Sequence, residues 1–233
     1  MNYSFYEVYI SALRAFSGMG FPYGADEDAA YIIAWLELNN MNGIELLANS
    51  INKIDGKYNG KSTVKKNQLK VDLKKSSELM KGPGLIDYFS TIFEREKKFE
   101  IIIDHCDEPL FFIPLLYKIS NKILFSNLIY LDNENRETLC LIKNDSVKIG
   151  FTSNQDFLKK NQIKIVMKNE NNSLSFKKIK LNITRSSIQK NLSKSLKPKN
   201  KYWKIVDNIA CRTYVPESSE SRLKGAGGSN DND

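Results

Sequence analysis

The spacing of the apolar residues changes along this chain, and that change limits the folds it can adopt. In residues 1–54 apolar side chains recur three or four positions apart, as they do across Phe5–Phe16, so one face of a helix would be buried. From Phe99 to Ile183 the apolar runs are short and several alternate, as in Val147–Phe151, which is typical of strands. The chain therefore combines a helical N-terminal unit with a later β-rich region.

The strand-like runs are separated by Asp, Asn, Lys and Ser, which favour tight turns and hence antiparallel pairing. These runs are Phe99–Ile103, Leu110–Leu116, Ile123–Leu131, Glu137–Ile142, Val147–Phe151, Ile163–Met167 and Leu174–Ile183. Two helical stretches follow, at Ser187–Leu196 and Lys201–Cys211. Strands grouped between groups of helices predict an α+β fold, with a mainly antiparallel sheet and C-terminal helices.

The domain organisation predicted from these patterns is one α+β domain over residues 1–215. Within it, residues 1–54 form the helical N-terminal unit and residues 85–185 are mainly β. The segment Gly82–Gly84 reads Gly-Pro-Gly, which predicts a break before a short helix at Leu85–Phe93. Residues 216–233 form a separate C-terminal tail.

The net charge of +8 suggests nucleic acid, but the kind of basic residue argues against it. Six of the 35 basic residues are arginine, whereas proteins that recognise nucleic acid favour the forked guanidinium group. The lysines are also spread along the chain instead of gathered in one segment. A nucleic-acid-binding protein is therefore the least favoured class, although charge alone keeps it as a distant alternative.

Cysteine spacing and the N-terminal sequence indicate the cellular compartment. Cys106, Cys140 and Cys211 are far apart and form no Cys-x-x-Cys pair, so neither a disulfide framework nor a metal site is predicted. The first residues contain no basic segment, apolar core or cleavage motif of a signal peptide. The longest apolar run, Leu110–Ile119, is too short to cross a bilayer. We expect a cytoplasmic protein that does not bind a membrane.

No complete catalytic signature is present, so the candidate residues are individual ones. His105 is the only histidine, and it stands among acidic residues just after a predicted strand. Imidazole suits acid–base catalysis near neutral pH, which makes His105 a candidate catalytic residue. The alternative is a solvated corner between a strand and a turn.

The C-terminal segment supplies most of the other candidates. Tyr214 and Ser219 are candidate catalytic residues because their hydroxyl groups can donate and accept hydrogen bonds. Arg212 and Arg222 can grip an anionic group, and Gly225 and Gly227 let backbone N–H groups approach a ligand. Composition alone would instead predict a disordered terminus.

Two patterns in the chain are similar to a family of bacterial proteins, DUF3726, a domain of unknown function. The N-terminal pattern runs from Arg14 to Leu36, and the C-terminal pattern reads RTYVPES, then SR, GAG and DND, within Arg212–Asp233. Between them only the PLFFIPLL segment, Pro109–Leu116, is similar. The resemblance implies an ordered tail over residues 216–233, docked on its own or on a neighbouring subunit. It also adds Arg14 to the candidate substrate-binding residues. It supplies no mechanism.

Taken together, these features favour a small-molecule metabolic enzyme, or an enzyme subunit, acting on an amino-acid-like or carboxylate compound. The alternative is a non-catalytic partner subunit that completes another enzyme through its C-terminal tail. An anionic small molecule, a protein partner and a second copy of the chain are all open as partners. The sequence names no cofactor and no reaction.

Overall fold

The computed structural model describes residues 1–61, 70–74, 76–152, 158–169 and 175–214. Among these residues are seven α-helices, seven β-strands and two short 3-10 turns. The order is α1 (Phe5–Gly18), α2 (Ala25–Leu38), α3 (Gly43–Ile54), β1 (Lys70–Asp72), α4 (Glu78–Glu96), β2 (Lys98–Asp104), the turn Pro109–Phe111, α5 (Phe112–Lys118), β3 (Phe125–Leu131), β4 (Glu137–Lys143), β5 (Ser146–Thr152), β6 (Gln162–Lys168), β7 (Phe176–Ile183), α6 (Arg185–Leu192), α7 (Asn200–Ala210) and the turn Cys211–Thr213.

All seven strands join one sheet in the order β1-β2-β6-β3-β4-β5-β7. Only the β1–β2 pair is parallel, and every other pair is antiparallel. Strand β6 lies between β2 and β3, so these two strands run in the same direction and end at the same edge of the sheet. The fold is therefore α+β with a mainly antiparallel sheet, as the alternating runs predict.

The core lies between the sheet and the helices. Helices α4 and α5 pack directly on strands, and α2 contacts both of them from the next layer. Helix α7 packs against α1 and α3, so the C-terminal helix closes the helical N-terminal unit. Gly18 lets α1 approach α7, since an added Cβ would stand 2.7 Å from the carbonyl oxygen of Ile209.

Local sequence signals set several helix ends. Ser4 accepts a hydrogen bond from the backbone N–H of Glu7, and the Glu7 carboxylate accepts one from Ser4, which completes a capping box for α1. Thr184 and Ser187 form the corresponding reciprocal pair at α6. These caps satisfy backbone groups that have no partner inside the helix.

Helix α4 differs from the sequence-based prediction, because it runs through the Gly-Pro-Gly segment instead of starting after it. Ser77 caps this helix by accepting a hydrogen bond from the N–H of Leu79. Pro83 is the sixth residue of the helix, where its ring removes the N–H that would otherwise donate to the carbonyl oxygen of Leu79, so the local sequence opposes the helical path. Gly82 faces Leu115 and Phe112, so packing against α5 favours the helical path.

The apolar run Leu110–Leu116 was predicted to be a strand, and that prediction is wrong. It forms a 3-10 turn and then helix α5, whose residues Phe112–Leu116 are all buried. Glu108 caps the turn and Pro109 occupies its first position, where the missing N–H costs nothing. A short, wholly buried run has no distinctive periodicity, so it does not separate a helix from a strand.

Within the described part of the chain, no helix is both long enough and apolar enough to cross a membrane. The division into one domain over residues 1–215 with a docked tail remains a prediction. Residues 215–233, which include the tail, lie outside the described residues.

Candidate functional site

The candidate site forms around the segment His105–Glu108, here called the β2–α5 connection. His105 adopts a left-handed backbone conformation with φ 55°, which turns the chain away from strand β2. The N–H of Cys106 donates to the carbonyl oxygen of Asn161, 2.9 Å away, just before β6. This bond ties the end of β2 to the start of β6, which continues their antiparallel pairing.

Helix α4 holds the other side of the connection. The buried carboxylate of Glu78, the first residue of α4, accepts hydrogen bonds from the N–H groups of Asp107 at 2.6 Å and Glu108 at 3.3 Å. Two backbone donors in an irregular segment are thus satisfied by one side chain, which fixes the shape of the connection.

A cavity of about 400 Å³ opens beside this connection, at the sheet edge where β2 and β3 end and β6 begins. This volume lies within the range of sites for small molecules. The cavity is lined by Leu46, Cys106, Asp107, Glu108, Pro109, Leu110, Tyr130, Leu131, Asp132, Asn133, Asn135, Lys160, Asn161 and Gln162.

Two of the three carboxylates in the cavity lining are paired. Asp107 lies 2.6 Å from the ammonium of Lys53 and accepts a hydrogen bond from Asn161. Burial opposes the ionisation of Asp132, but hydrogen bonds from Arg136, Glu134 and Lys180 outweigh it and hold the pKa of Asp132 at about 2. Both groups are therefore part of the structural framework of the cavity.

Glu108 is different, because it has no cationic partner among the described residues. Its carboxylate accepts only a 3.3 Å hydrogen bond from the N–H of Leu110. Burial raises the pKa of Glu108 to about 7, that hydrogen bond lowers it, and the nearby charges of Glu78 and Asp107 raise it further. Near neutral pH this carboxyl group can therefore both donate and accept a proton.

The other ionisable side chains considered in the cavity lining are those of Tyr130, Cys106 and Lys160. Burial raises the pKa of Tyr130, and burial together with Glu78 raises the pKa of Cys106, so both side chains keep their protons at neutral pH. Lys160 is exposed and has no ion-pair partner in the described part of the chain. A free cation and an unpaired carboxyl group thus line the same cavity.

His105 lies next to this cavity in sequence but not in its lining. Its Nδ1 is 2.6 Å from Oδ1 of Asp72, at the end of strand β1. The side chains are 64% and 42% exposed, so this is a surface pair. The hydrogen bond to His105 is the main cause of the lowered pKa of Asp72.

The other predicted residues lie elsewhere, where α1, α3 and α7 meet. The Arg14 guanidinium donates a 2.9 Å hydrogen bond to the Tyr214 hydroxyl and lies 5.3 Å from the centre of its ring. Arg212 donates to both carboxylate oxygens of Asp55, each at 2.8 Å. Neither arginine lines the cavity. Ser219, Arg222, Gly225 and Gly227 fall outside the described residues.

The sequence reasoning missed Glu108, Tyr130 and Lys160. Glu108 had a visible signal, because an acidic residue directly before Pro109 and an apolar run is a common start of a helix. Tyr130 and Lys160 had none, since they reach the cavity only through the order of the strands. Among the described residues, no group of three or more His, Cys, Asp or Glu side chains is placed to hold a metal ion.

A family model matches the first third of the chain. Residues 3–74 match DUF3726, a protein of unknown function. The match includes the Arg14–Leu36 pattern, so the resemblance is confirmed over this part of the chain. The C-terminal pattern lies outside the DUF3726 match, and no curated protein matches the sequence.

Solved structures resemble the fold at low sequence identity. A putative malate/lactate dehydrogenase from E. coli shares 7% identity with a TM-score of 0.60, over 93% of this chain and 96% of that one. The sulfolactate dehydrogenase from Methanocaldococcus jannaschii shares 8% identity with a TM-score of 0.61, over 91% and 96% of the two chains. These two similarities establish a shared fold only.

A third similarity is partial. The malate dehydrogenase from Entamoeba histolytica shares 11% identity with a TM-score of 0.46, over 67% of this chain. The chain spans 47% of the length of that protein.

Proposed function

We propose that this chain is a small-molecule metabolic enzyme, or the site-bearing subunit of one, that acts on an amino-acid-like compound held in the cavity at the sheet edge. The observation that carries the proposal is the unpaired carboxyl group of Glu108 in a cavity of about 400 Å³. Partly buried acids without a cationic partner are uncommon in structural roles and are typical of sites that move protons.

The charges of the lining favour a compound that carries both signs. Lys160 is free to contact a carboxylate, and Glu108 can contact an ammonium group. The amide side chains of Asn133, Asn135 and Asn161 add neutral donors and acceptors around them. The similar folds of proteins named as malate/lactate and sulfolactate dehydrogenases agree with a small carboxylate, although 7% and 8% identity support no closer inference.

Glu108 is the residue that we assign to proton transfer. A general acid or base works best when its pKa is near the working pH, and burial brings the pKa of Glu108 to about 7. Tyr130 keeps its proton and supplies a hydrogen-bond donor from the end of β3. The chemistry proposed for the cavity is thus a proton transfer to or from a bound amine or carbon acid.

A thermal-shift screen tests the proposal. The panel holds amino acids, their N-methylated relatives, small carboxylates, nucleotides, nicotinamide and flavin cofactors and divalent metals. A compound at one hundred times its Kd stabilises a protein by about 2.7 kcal/mol, which is visible in melting curves. We expect an amino-acid-like compound to stabilise the chain, and to do so much less in Glu108→Gln.

The matched control is Glu96→Gln, at the exposed end of α4. It makes the same chemical change far from the cavity lining and should keep the full shift. Equal shifts in all three proteins, or no shift with any compound, would contradict the proposal.

One observation favours a second candidate, the partner subunit that acts through its tail. The Arg14–Tyr214 and Arg212–Asp55 bonds fix the chain up to its last described residue, beside α1 and α3. A fixed exit would present the tail to a neighbouring protein at a constant position. A stable complex retained by the full chain and lost by a chain ending at Val215, with no ligand-induced shift in either, would favour this candidate.

A further inference from the structure

Glu78 is a second acidic side chain at the β2–α5 connection, and the function proposed for the cavity does not use it. Glu78 is 2% exposed and lies outside the cavity lining, whereas Glu108 is half-buried and lines the cavity. In the described part of the chain, no lysine or arginine forms an ion pair with either of these two carboxyl groups. Ionising two neighbouring acids without a cation is costly, so one of them is expected to keep its proton longer.

The hydrogen-bond donors around the two carboxyl groups are unequal in number. Oε1 of Glu78 accepts from the N–H groups of Asp107 at 2.6 Å and Glu108 at 3.3 Å, and its Oε2 accepts from the hydroxyl of Ser77 at 3.4 Å. The carboxyl group of Glu108 accepts one hydrogen bond, from the N–H of Leu110 at 3.3 Å. Donors favour the charged form of a carboxyl group. The negative charge is therefore favoured on Glu78, and the proton on Glu108.

The position of each acid in its helix acts in the same direction. Glu78 is the first residue of the 19-residue helix α4, and a helix N-terminus stabilises a nearby negative charge. Ser77 caps this helix end by accepting a 3.2 Å hydrogen bond from the N–H of Leu79. Glu108 precedes a 3-10 turn of three residues, which has a much smaller dipole.

We propose that Glu78 is a positioning residue for proton transfer by Glu108. Glu78 holds the backbone N–H of Glu108 and carries the negative charge of the pair, which leaves Glu108 as the acid that takes up and releases the proton. This inference rests on the function proposed for the cavity, because Glu78 acts only through Glu108. Burial is the main cause of the raised pKa of Glu108, about 7, and the charge of Glu78 acts in the same direction.

The other titratable groups near Glu108 are paired, neutral or exposed. Asp107 also raises the pKa of Glu108, but its own charge is balanced by Lys53 at 2.6 Å. The other members are Asp132, which is paired with Arg136, the protonated side chains of Tyr130 and Cys106, and the exposed Lys160. Glu78 is therefore the neighbour whose negative charge is least balanced.

Carbon-13 NMR of the full chain, labelled at the side-chain carboxyl carbon of glutamate, tests the proposal without a ligand. The Glu108 signal is the one lost in Glu108→Gln, and in wild type it should titrate near pH 7. Glu78→Gln keeps an oxygen acceptor for the two N–H groups but removes the charge, so it should lower the Glu108 midpoint by about one pH unit. Glu78→Asp keeps the charge and should lower the midpoint much less. Glu96→Gln is the matched control on the same helix and should leave the midpoint unchanged.

A purely structural role for Glu78 would give different results. An unchanged midpoint in Glu78→Gln, or an equal fall in Glu78→Gln and Glu78→Asp, overturns the proposal. Wild type gives a second readout that does not need a folded variant. The amide proton of Asp107 donates to Glu78 at 2.6 Å and should resonate at unusually low field at neutral pH, as in a short bond to a charged carboxylate. An ordinary amide position for this proton also overturns the proposal.

This inference and the proposed function can fail separately, because the titration uses no ligand and the thermal-shift screen does not measure the midpoint. A ligand-induced shift without a lowered midpoint in Glu78→Gln removes only the role of Glu78. A lowered midpoint without any ligand-induced shift supports the effect of Glu78 on Glu108 and removes only the proposed substrate.

Discussion

At the scale of single residues, Glu108 makes the chain sensitive to pH. Its pKa rises from the usual 4.5 to about 7 in the folded protein, mainly because burial disfavours the charged form. A group with a raised pKa contributes its full stabilisation below the unfolded value and loses it as the pH rises through the folded value. The fold should therefore lose stability from Glu108 between about pH 4.5 and pH 7.

Glu108→Gln should remove this loss, because glutamine stays neutral. The free energy of unfolding of the variant should exceed that of wild type by an amount that grows as the pH rises from 4.5 to 8. We expect this difference to reach up to about 3 kcal/mol, at about 1.4 kcal/mol per pKa unit. Urea denaturation at several pH values measures it. Glu96→Gln should follow the wild-type curve, and a Glu108→Gln curve parallel to wild type would refute the raised pKa.

Arg212 and Asp55 form a half-exposed ion pair that links the C-terminal turn to the end of α3. Exposed pairs contribute little because solvent screens them, so we expect a coupling energy of about 0.5–1 kcal/mol. A double-mutant cycle with Arg212→Gln and Asp55→Asn measures that coupling. A loss of ligand binding in Arg212→Gln, with little change in stability, would instead support Arg212 as the substrate-binding residue that the sequence suggests.

At the scale of elements, glycine positions control how closely the helices approach. Gly43 begins α3, and an added Cβ there would overlap the carbonyl oxygen of Ile33 in α2. Gly84 lies inside α4, where an added Cβ would meet nothing within 4 Å. The same glycine-to-alanine substitution should therefore create a clash at Gly43 but not at Gly84.

Gly43→Ala should cost about 3 kcal/mol, because backbone on both helices must move. Gly84→Ala should be neutral or stabilise the fold by about 0.5–1 kcal/mol, since alanine is the better helix former. Thermal and urea unfolding of both variants measure the difference. Equal effects of the two substitutions would show that α2 and α3 are not packed as closely as described.

Helix α4 also illustrates why some elements were predicted and others were not. Alternating apolar residues in β5 have one interpretation, and the strand lies where the sequence places it. The Gly82–Gly84 segment has two local interpretations, and packing of Gly82 on α5 decides between them. Elements whose local sequence signals all favour one structure can therefore be predicted. Elements in which tertiary contacts override a local signal cannot.

At the scale of the whole molecule, the sequence predicts the fold class better than the site. The helical N-terminal unit, the mainly antiparallel sheet and the C-terminal helices follow from periodicity alone. The cavity does not, because it depends on β6 lying between β2 and β3. That order places Asn161 and Lys160 in the same cavity lining as Glu108, and no local pattern indicates which strands become neighbours.

The proposal that residues 216–233 dock on the fold gives a prediction at this scale. A chain ending at Val215 keeps the Arg14–Tyr214 bond, so any difference from the full chain reports on the tail. If the tail docks on its own subunit, the shortened chain should melt at a lower temperature in calorimetry, because buried contacts are lost. Equal melting would contradict docking on its own subunit, and would leave docking on another subunit or protein, or an undocked tail.

Strand β6 is synthesised after most of the cavity lining, so the cavity can be completed only late in translation. Glu108 and the end of β3 leave the ribosome well before β6 does, since Gln162–Lys168 comes later in the chain than β4 and β5. A nascent chain that ends before residue 160 has the carboxyl group of Glu108 but lacks Lys160, Asn161 and Gln162 of the cavity lining. Pairing between strands distant in sequence is also slow, because a long loop must close first. Ligand capture by stalled chains of increasing length would therefore date the completion of the sheet.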